Sequence, residues 1–334
     1  MQKWLVIQTA FIGDVVLATS LVESLHQQYP HDVMDVLVRK GNEGLLDQHP
    51  FVKNVLVWDK KKNKYQNWWS LLKTIRAQEY DGVINVQRYA ATGLWTAMSK
   101  AKMKIGFDKN PFSFLFTHVI KHEFLGDQQH EINRNHALLE AITPMNLSKP
   151  KLYPSVLDRQ NIASFQQVPY ICIAPASVWF TKQYPLQKWA DLIEALPFEG
   201  PIYIIGGPGD KIIGDQIIQK TSQKQVLNLC GKFSFLASAA LQEGALLNYV
   251  NDSAPMHFAS AMNAPVVAVY ASTIPGFGYG PLSDNSFIVE TLTTLPCRPC
   301  GLHGKKQCPL NHFDCAQSIQ TQQLVSPLLQ MTQH

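Results

Sequence analysis

The chain has 334 residues, which is enough for about two domains of ~150 residues each. Hydrophobic residues make up 46% and charged residues 16%, a composition that excludes a disordered, collagen-like or coiled-coil chain. The net charge of +4 is too small to indicate nucleic-acid binding, and no apolar run approaches the ~20 residues of a membrane-spanning helix. The apolar start contains Asp14 and no clear signal-peptide cleavage site, so we expect a soluble, cytoplasmic protein.

Short apolar runs alternate with segments of helical period, which is typical of βα units around a parallel sheet. In the first half this pattern predicts strands at 4–8, 33–38, 54–58 and 82–86, and helices at 15–28, 65–78 and 90–99. In the second half it predicts strands at 170–174, 202–205, 226–229, 246–250 and 266–270, and helices at 186–196, 211–221, 233–242 and 255–262. Periodicity is lost around 149–154, which predicts a domain boundary. We expect an α/β fold with two Rossmann-like, doubly wound domains, 1–150 and 151–334, that face a central ligand-binding cleft.

Asp14 lies between the first strand and the first helix, at a strand's carboxyl end. An aspartate at this place caps a helix and complements its dipole, and spacing alone favours that role. The alternative is a general base that takes a proton from a substrate hydroxyl.

In the second half, Lys182 follows a strand and is equally consistent with a phosphate contact or an ordinary exposed lysine. The run from Asn251 to Met262 begins a helix, at which Asp252 or Ser253 is expected to cap and the free N–H groups would suit a diphosphate. His257 is equally well explained as a buried, hydrogen-bonded imidazole. Thr273 ends the following strand and would face the same cleft. The turn at Gly206-Gly207 lacks the G-x-G-x-x-G spacing, which argues against an NAD enzyme.

Two weaker features concern the first half. Lys60, Lys61 and Lys62 precede a Trp-Trp pair, a pattern more typical of a solvated loop with one buried tryptophan than of a surface for anionic lipid headgroups. Arg88 ends a strand and either binds an acceptor phosphate or forms a surface ion pair.

Four of the six cysteines, Cys297, Cys300, Cys308 and Cys315, have the spacing C-x2-C-x7-C-x6-C. Four thiolates could close a structural zinc site, and metal-free thiols are an equally supported alternative, ahead of disulfides. In either case we expect the segment 297–315 to pin a loop remote from the reaction. Cys172 and Cys230 lie in apolar strands and are expected to be inert core residues.

Four segments together carry a family resemblance. They are Phe11-Ile-Gly-Asp-Val-Val-Leu-Ala-Thr-Ser-Leu, Thr181-Lys182-x-Tyr-Pro, Asn228-Leu-Cys-Gly-Lys232 and Asn251-Asp-Ser-x-Pro-Met-His-Phe-Ala. In this order the chain resembles the ADP-heptose:lipopolysaccharide heptosyltransferases, most closely the heptosyltransferase II type, from about residue 1 to residue 320. The family's usual glycines are replaced by Ala254 and Ala271.

The resemblance implies a GT-B fold with an N-terminal acceptor domain and a C-terminal ADP-sugar-binding domain that ends in a helix. It implies an inverting transfer of heptose from ADP-heptose to the lipopolysaccharide inner core, with no catalytic metal or cofactor, no nucleic acid, and peripheral contact with the inner membrane. Asp14 would be the base, with Arg88 and Lys60–Lys62 on the acceptor side. The implied donor-site residues are Thr181, Lys182, Gly206, Gly207, Asp252, Ser253, Ala254, Met256, His257 and Thr273. The alternatives are a transferase with another nucleotide-sugar donor, an NAD-dependent epimerase and a non-catalytic nucleotide- or zinc-binding protein.

Overall fold

A computed structural model describes residues 1–123, 129–222 and 225–332. The chain divides into two units, Met1–Tyr153 and Pro154–His334. The boundary predicted after residue 150 lies three residues before this division.

Unit 1 is a six-stranded parallel sheet, in which the most apolar strand, β1, lies in the interior between β2 and β4. The strands are β1 (Lys3–Ile7), β2 (Val33–Arg39), β3 (Val52–Trp58), β4 (Gly82–Asn85), β5 (Met103–Phe107) and β6 (His118–Ile120). The helices are α1 (Ile12–Gln28), α2 (Lys64–Ala77), α3 (Ala90–Met98) and α4 (Glu131–Glu140). The strand order β3-β2-β1-β4-β5-β6 is that of a doubly wound Rossmann sheet.

Unit 2 repeats this topology with the order β12-β11-β10-β7-β8-β9, again with all strands parallel. Its strands are β7 (Ile171–Ala174), β8 (Ile202–Ile204), β9 (Val226–Asn228), β10 (Leu247–Asn251), β11 (Val266–Tyr270) and β12 (Ser286–Glu290). Its helices are α5 (Val156–Ile162), α6 (Leu186–Ala195), α7 (Lys211–Ile218), α8 (Phe235–Glu243), α9 (Ala254–Ala261), α10 (Asp314–Gln317) and α11 (Thr321–Thr332).

The central strands are buried at nearly every residue because helices cover both faces of each sheet, so they contain few polar residues. Helix α1 is also buried, at every residue from Val15 to Leu25. In the region after β3, Trp68 stacks on Trp95 beneath α2, whereas Trp69 is exposed. No helix in the described parts of the chain is long and apolar enough to cross a membrane.

Candidate active site

The functional side chains predicted from sequence follow the central strands of the two sheets. In a doubly wound sheet, ligands bind at the carboxyl ends of strands where the order reverses. That point lies between β1 and β4 in unit 1, and between β7 and β10 in unit 2. Asp14 follows β1, Lys182 follows β7 and Asp252 follows β10, so each lies at such a point.

Asp14 is the third residue of α1 and is partly buried. Its Oδ2 accepts the backbone N–H of Phe11 at 3.0 Å, which is the reciprocal bond of a capping box. The cap that spacing favoured is therefore present. A carboxylate has further lone pairs, so this bond is compatible with a second role.

One cation of unit 1, Arg39, interacts with Asp14, and a second, Lys60, lies near Arg39. Arg39 ends β2, and its guanidinium stacks 4.7 Å from the centre of the Phe11 ring. Burial lowers the pKa of Arg39 and the Asp14 carboxylate opposes this, so the two charges interact. Lys60 donates to the carbonyl of Thr9 at 2.9 Å, and its pKa is lowered by burial and by the neighbouring Arg39 and Lys64. Arg39 is not among the residues predicted from sequence, although its place at the carboxyl end of β2 was a usable signal.

A buried ion pair also borders this region. Glu131, at the start of α4, binds Arg134 at 2.6 Å. Burial raises the pKa of Glu131, Arg134 opposes the rise, and Asp14 adds to it. Arg88 is exposed, and its positive charge favours the charged form of Glu131. Burial is the larger cause of the lowered pKa of His122, and the positive charge of Arg88 lowers that pKa further. Asp14, Arg39, Arg88 and Glu131 thus share one electrostatic neighbourhood.

Lys61 and Lys62 lie in an exposed turn. Their backbone N–H groups donate to Asp59, and this lowers the pKa of that carboxyl to about 2 after the larger effect of Lys40. The expected solvated loop is therefore what the structure shows at these two positions.

In unit 2, Lys182 and Asp252 form a largely buried ion pair with an Nζ–Oδ2 distance of 2.7 Å. The hydroxyl of Thr273 donates to the same Oδ2 at 2.7 Å. Three predicted donor-site residues, on three different strand-to-helix connections, are therefore brought into direct contact.

Asn251, the last residue of β10, holds the loop that carries Lys182. Its side-chain amide donates to Pro175 at 2.6 Å, and its side-chain oxygen accepts the backbone N–H of Tyr184 at 2.9 Å. A buried asparagine thus fixes both ends of the 175–184 loop against β10.

The start of α9 differs in detail from the prediction. Neither Asp252 nor Ser253 caps the helix: Asp252 is bound to Lys182, and Ser253 is the N-cap residue but its hydroxyl bonds back to Asn251. Ala254 and Pro255 form the first helical positions, which leaves backbone N–H groups of this turn without side-chain caps.

Two residues assigned to the pocket lie inside the protein. Met256 is fully buried in the hydrophobic core, where its sulfur accepts from Tyr270 at 3.2 Å. In this structure its side chain packs between α9 and the sheet, and its role in the donor pocket stays a prediction. His257 is buried beside the ring of Tyr279. Gly206 and Gly207 form the tight turn after β8, in which Gly207 donates to Asp210 at 2.8 Å.

The cysteine-rich segment contacts residues of the predicted donor site, so the expectation that it lies remote from them is wrong. The backbone of Lys305 exchanges two hydrogen bonds with Thr181, at 2.7 and 3.1 Å. Cys297, Cys300, Cys308 and Cys315 line one cavity of about 360 Å³, which Thr181 and Ser272 also border. All six cysteines are free thiols. Within the described residues, no three side chains of metal-binding type are already arranged to hold an ion.

The core cysteines match their prediction. Cys172 and Cys230 are buried, and burial raises the pKa of Cys230 to about 12 and that of Cys172 further. Thiols with so little thiolate at neutral pH are unreactive.

Two doubly wound units joined in one chain are the architecture of the GT-B class of glycosyltransferases. The family profile described as glycosyltransferase family 9 (heptosyltransferase) matches residues 68–312. The chain therefore belongs to glycosyltransferase family 9, and it is a glycosyltransferase.

Individual relatives agree with this assignment. The chain is 27% identical over 301 residues to lipopolysaccharide heptosyltransferase 3 of Escherichia coli, which covers 82% of this chain and 85% of the relative. It is 23% identical over 309 residues to lipooligosaccharide heptosyltransferase 2 of Haemophilus influenzae, with 86% and 88% covered. Among solved structures, E. coli ADP-heptose lps heptosyltransferase II superimposes with a TM-score of 0.81 at 21% identity, covering 98% of both chains. The family resemblance and the α/β, GT-B fold read from the sequence are confirmed.

Proposed function

We propose that the enzyme transfers heptose from ADP-heptose to a sugar hydroxyl of the lipopolysaccharide inner core, with inversion at the anomeric carbon. The proposal is carried by the presence of a carboxylate after β1 in unit 1 and of a lysine–aspartate–threonine cluster after β7, β10 and β11 in unit 2. The first can activate a hydroxyl and the second can hold a departing diphosphate. Relatives named for lipopolysaccharide heptose transfer support the choice of substrates.

The reaction we propose is a single displacement. Asp14 takes the proton of the acceptor hydroxyl while its oxygen attacks the anomeric carbon and the bond to ADP breaks. Lys182 and the uncapped N-terminus of α9 stabilise the negative charge that develops on ADP, a task for which no metal is required. Asp252 and Thr273 would border the heptose, and Ser253, Ala254 and His257 the phosphates. Unit 1 acts as the acceptor domain and unit 2 as the donor domain.

The cations around Asp14 fit an acceptor that carries phosphate or carboxylate groups. Arg39, Lys60 and Arg88 all follow carboxyl ends of strands in the same sheet, and none of them is paired with a carboxylate within 4.0 Å in the described ion pairs. Lys61, Lys62 and the exposed rings of Tyr65 and Trp69 extend this surface. Such a combination suits peripheral contact with anionic headgroups on the cytoplasmic face of a membrane. Sedimentation with anionic but not with zwitterionic vesicles would support this contact.

The donor is tested by calorimetric titration with ADP-heptose, ADP, UDP and NAD. Binding of ADP and ADP-heptose with little UDP binding supports the proposal. Selective binding of UDP would instead favour the alternative of another nucleotide-sugar donor, and tight binding of NAD alone would refute a transferase of this kind. A protein that binds ADP but does not turn over with any acceptor would match the non-catalytic alternative.

The base is tested with Asp14→Asn, which should lower turnover by about 10²-fold or more with ADP affinity nearly unchanged. Asp158→Asn is a matched control, because Asp158 is also the third residue of its helix and also accepts the N-cap N–H at 3.0 Å. Loss of turnover in both variants to the same degree would mean that helix capping, not base catalysis, explains the effect.

The structural zinc predicted for Cys297, Cys300, Cys308 and Cys315 stays a prediction. Elemental analysis of protein purified without chelator tests it together with thiol titration. About one zinc per chain with protected thiols would support a four-thiolate site. No metal and four freely reactive thiols would leave the metal-free alternative.

A further inference from the structure

Arg298 joins the cysteine-rich segment to the end of β11. Its guanidinium donates to the carbonyls of Tyr270, Ala271 and Thr273 at 3.2, 2.7 and 2.8 Å. It also pairs with Glu290 at 2.6 Å. One planar cation thus binds three carbonyls at the end of β11 and just after it. These bonds fix the course of the backbone that presents Thr273 to Asp252.

A second set of contacts reaches the loop after β7. The backbone N–H of Cys300 donates to the carbonyl of Ser272 at 2.8 Å, and the Ser272 hydroxyl donates to Thr181 at 3.0 Å. Lys305 bonds Thr181 through both its N–H and its carbonyl. The segment therefore ties the loop that carries Lys182 to the loop that carries Thr273.

Gly304 is the point of closest approach to Lys182. It has φ = +75°, and a Cβ at this position would lie 2.8 Å from Cγ of Lys182 and 3.2 Å from the Thr181 hydroxyl. Gly301 also has a positive φ, of +91°, but a Cβ there would meet nothing within 4 Å. Gly304 is thus required for contact as well as for conformation, whereas Gly301 is required for conformation alone.

We propose that Arg298, Cys300, Gly304 and Lys305 form a donor-site strap that positions Lys182, Thr181 and Thr273 for the diphosphate of the donor. This inference rests on the proposed donor site. The strap residues are positioning residues, because they bind the backbone and side chains of the donor loops. The donor itself would be contacted by Lys182 and Asp252.

The strap accounts for effects on donor binding rather than on acceptor activation. A small displacement of the Lys182 ammonium would weaken its proposed hydrogen bond to the donor phosphate. Such charge-assisted hydrogen bonds depend steeply on distance and angle. Asp14 belongs to the other unit and keeps its own surroundings. Loss of the strap should therefore raise the KM for the donor more than it lowers kcat.

The first test compares Gly304→Ala with Gly301→Ala. Both variants carry the same backbone strain of alanine at positive φ, but only the first presses on Lys182. We expect Gly304→Ala to weaken ADP binding at least about tenfold, the factor that corresponds to ~1.4 kcal/mol, and Gly301→Ala to bind ADP as the parent does. Equal ADP affinity in both variants, whether high or low, would overturn the proposal.

The second test compares Arg298→Gln with Arg159→Gln. Arg159 also pairs with a glutamate at 2.6 Å in unit 2, but it makes this bond on the exposed surface to Glu243. Arg298→Gln should raise the donor KM at least about tenfold with a smaller change in kcat, and Arg298→Lys should recover part of the loss because one cation still reaches a carbonyl. The Arg159 variant should match the parent.

Hydrogen exchange gives a readout that needs no substrate. In Arg298→Gln the amides of Cys300 and Lys305 should exchange faster, while those of the central strand β10 stay protected. If the parent binds no ADP while Arg298→Gln shows this exchange pattern, the proposed function fails, but the structural link that the strap makes between the two loops stands. If the parent binds ADP and Arg298→Gln alters neither exchange nor donor KM, the strap is refuted and the function stands.

Discussion

Replacing Lys182 with methionine should weaken ADP binding by about 10- to 150-fold. The Lys182 side chain is only 15% exposed and that of its partner Asp252 is 7% exposed, so solvent screens these charges poorly. A hydrogen bond to a charged group contributes ~1.5–3 kcal/mol, which converts to this range of affinity. Methionine keeps the aliphatic stem that lies against Gly304, so the change isolates the charge.

The companion variant Asp252→Asn has the opposite expected sign. In the structure the ammonium is bound to Asp252 Oδ2, so a diphosphate must compete with this carboxylate for Lys182. Asparagine keeps an oxygen for the Thr273 hydroxyl but removes the competing charge. ADP should therefore bind at least as tightly as in the parent, while turnover falls if Asp252 contacts the heptose.

Calorimetric titration with ADP at low and high salt measures both effects, with thermal unfolding recorded alongside. Lys182→Met leaves Asp252 buried without its cation, and removing one partner of a buried ion pair costs up to ~3–5 kcal/mol of stability. The double variant should regain much of that stability and still bind ADP weakly. Lys188→Met is the control, because Lys188 donates to the carbonyl of Ile319 and has no proposed role. Parent-like ADP affinity in Lys182→Met, or an equal loss in Lys188→Met, would refute the reasoning.

Three further predictions follow from single contacts. Ala254→Gly, at the first position of α9, should cost less than ~1 kcal/mol of stability and leave ADP binding equal or tighter in titration, because glycine permits closer approach of the phosphates. Arg39→Gln should raise the KM for the acceptor in steady-state kinetics more than it changes kcat; a pure loss of kcat would contradict an acceptor role. Burial lowers the pKa of His49 to about 4, so its contribution to stability is present above the unfolded pKa of 6.5 and is lost as the pH falls toward 4. Chemical unfolding between these pH values should show a shallower loss for His49→Gln than for the parent, because the variant lacks the buried imidazole that gains a proton on unfolding.

Much of the fold was predictable because the central strands are buried on both faces. The strands predicted around 4–8, 82–86, 170–174, 246–250 and 266–270 correspond to β1, β4, β7, β10 and β11, which are buried at nearly every position. The strands β5, β6 and β12 were not predicted. They lie toward or at the sheet edges, and β6 and β12 have exposed positions that interrupt the apolar pattern.

The residues of the donor site could be predicted from the sequence, but the contacts among them could not. Lys182, Asp252 and Thr273 each follow an apolar strand, so their place at the carboxyl edge could be read from the chain. That Asp252 binds Lys182 rather than capping α9 depends on the 175–184 loop, which Asn251 holds through two long-range hydrogen bonds. Helix-capping rules are local, and here a tertiary ion pair takes the carboxylate that they assign to the helix.

The contacts of the cysteine-rich segment could not be predicted from the sequence either. Its spacing suggested metal chemistry and a remote position, because thiols are the residues that a sequence makes conspicuous. The contacts to the donor loops come instead from one arginine, three backbone groups and a glycine, and backbone bonds cannot be read from composition. A segment that binds through its main chain can be replaced in most of its side chains without losing those bonds. Its positive-φ glycine next to Lys182 is then the residue at which substitution is most costly for the donor site.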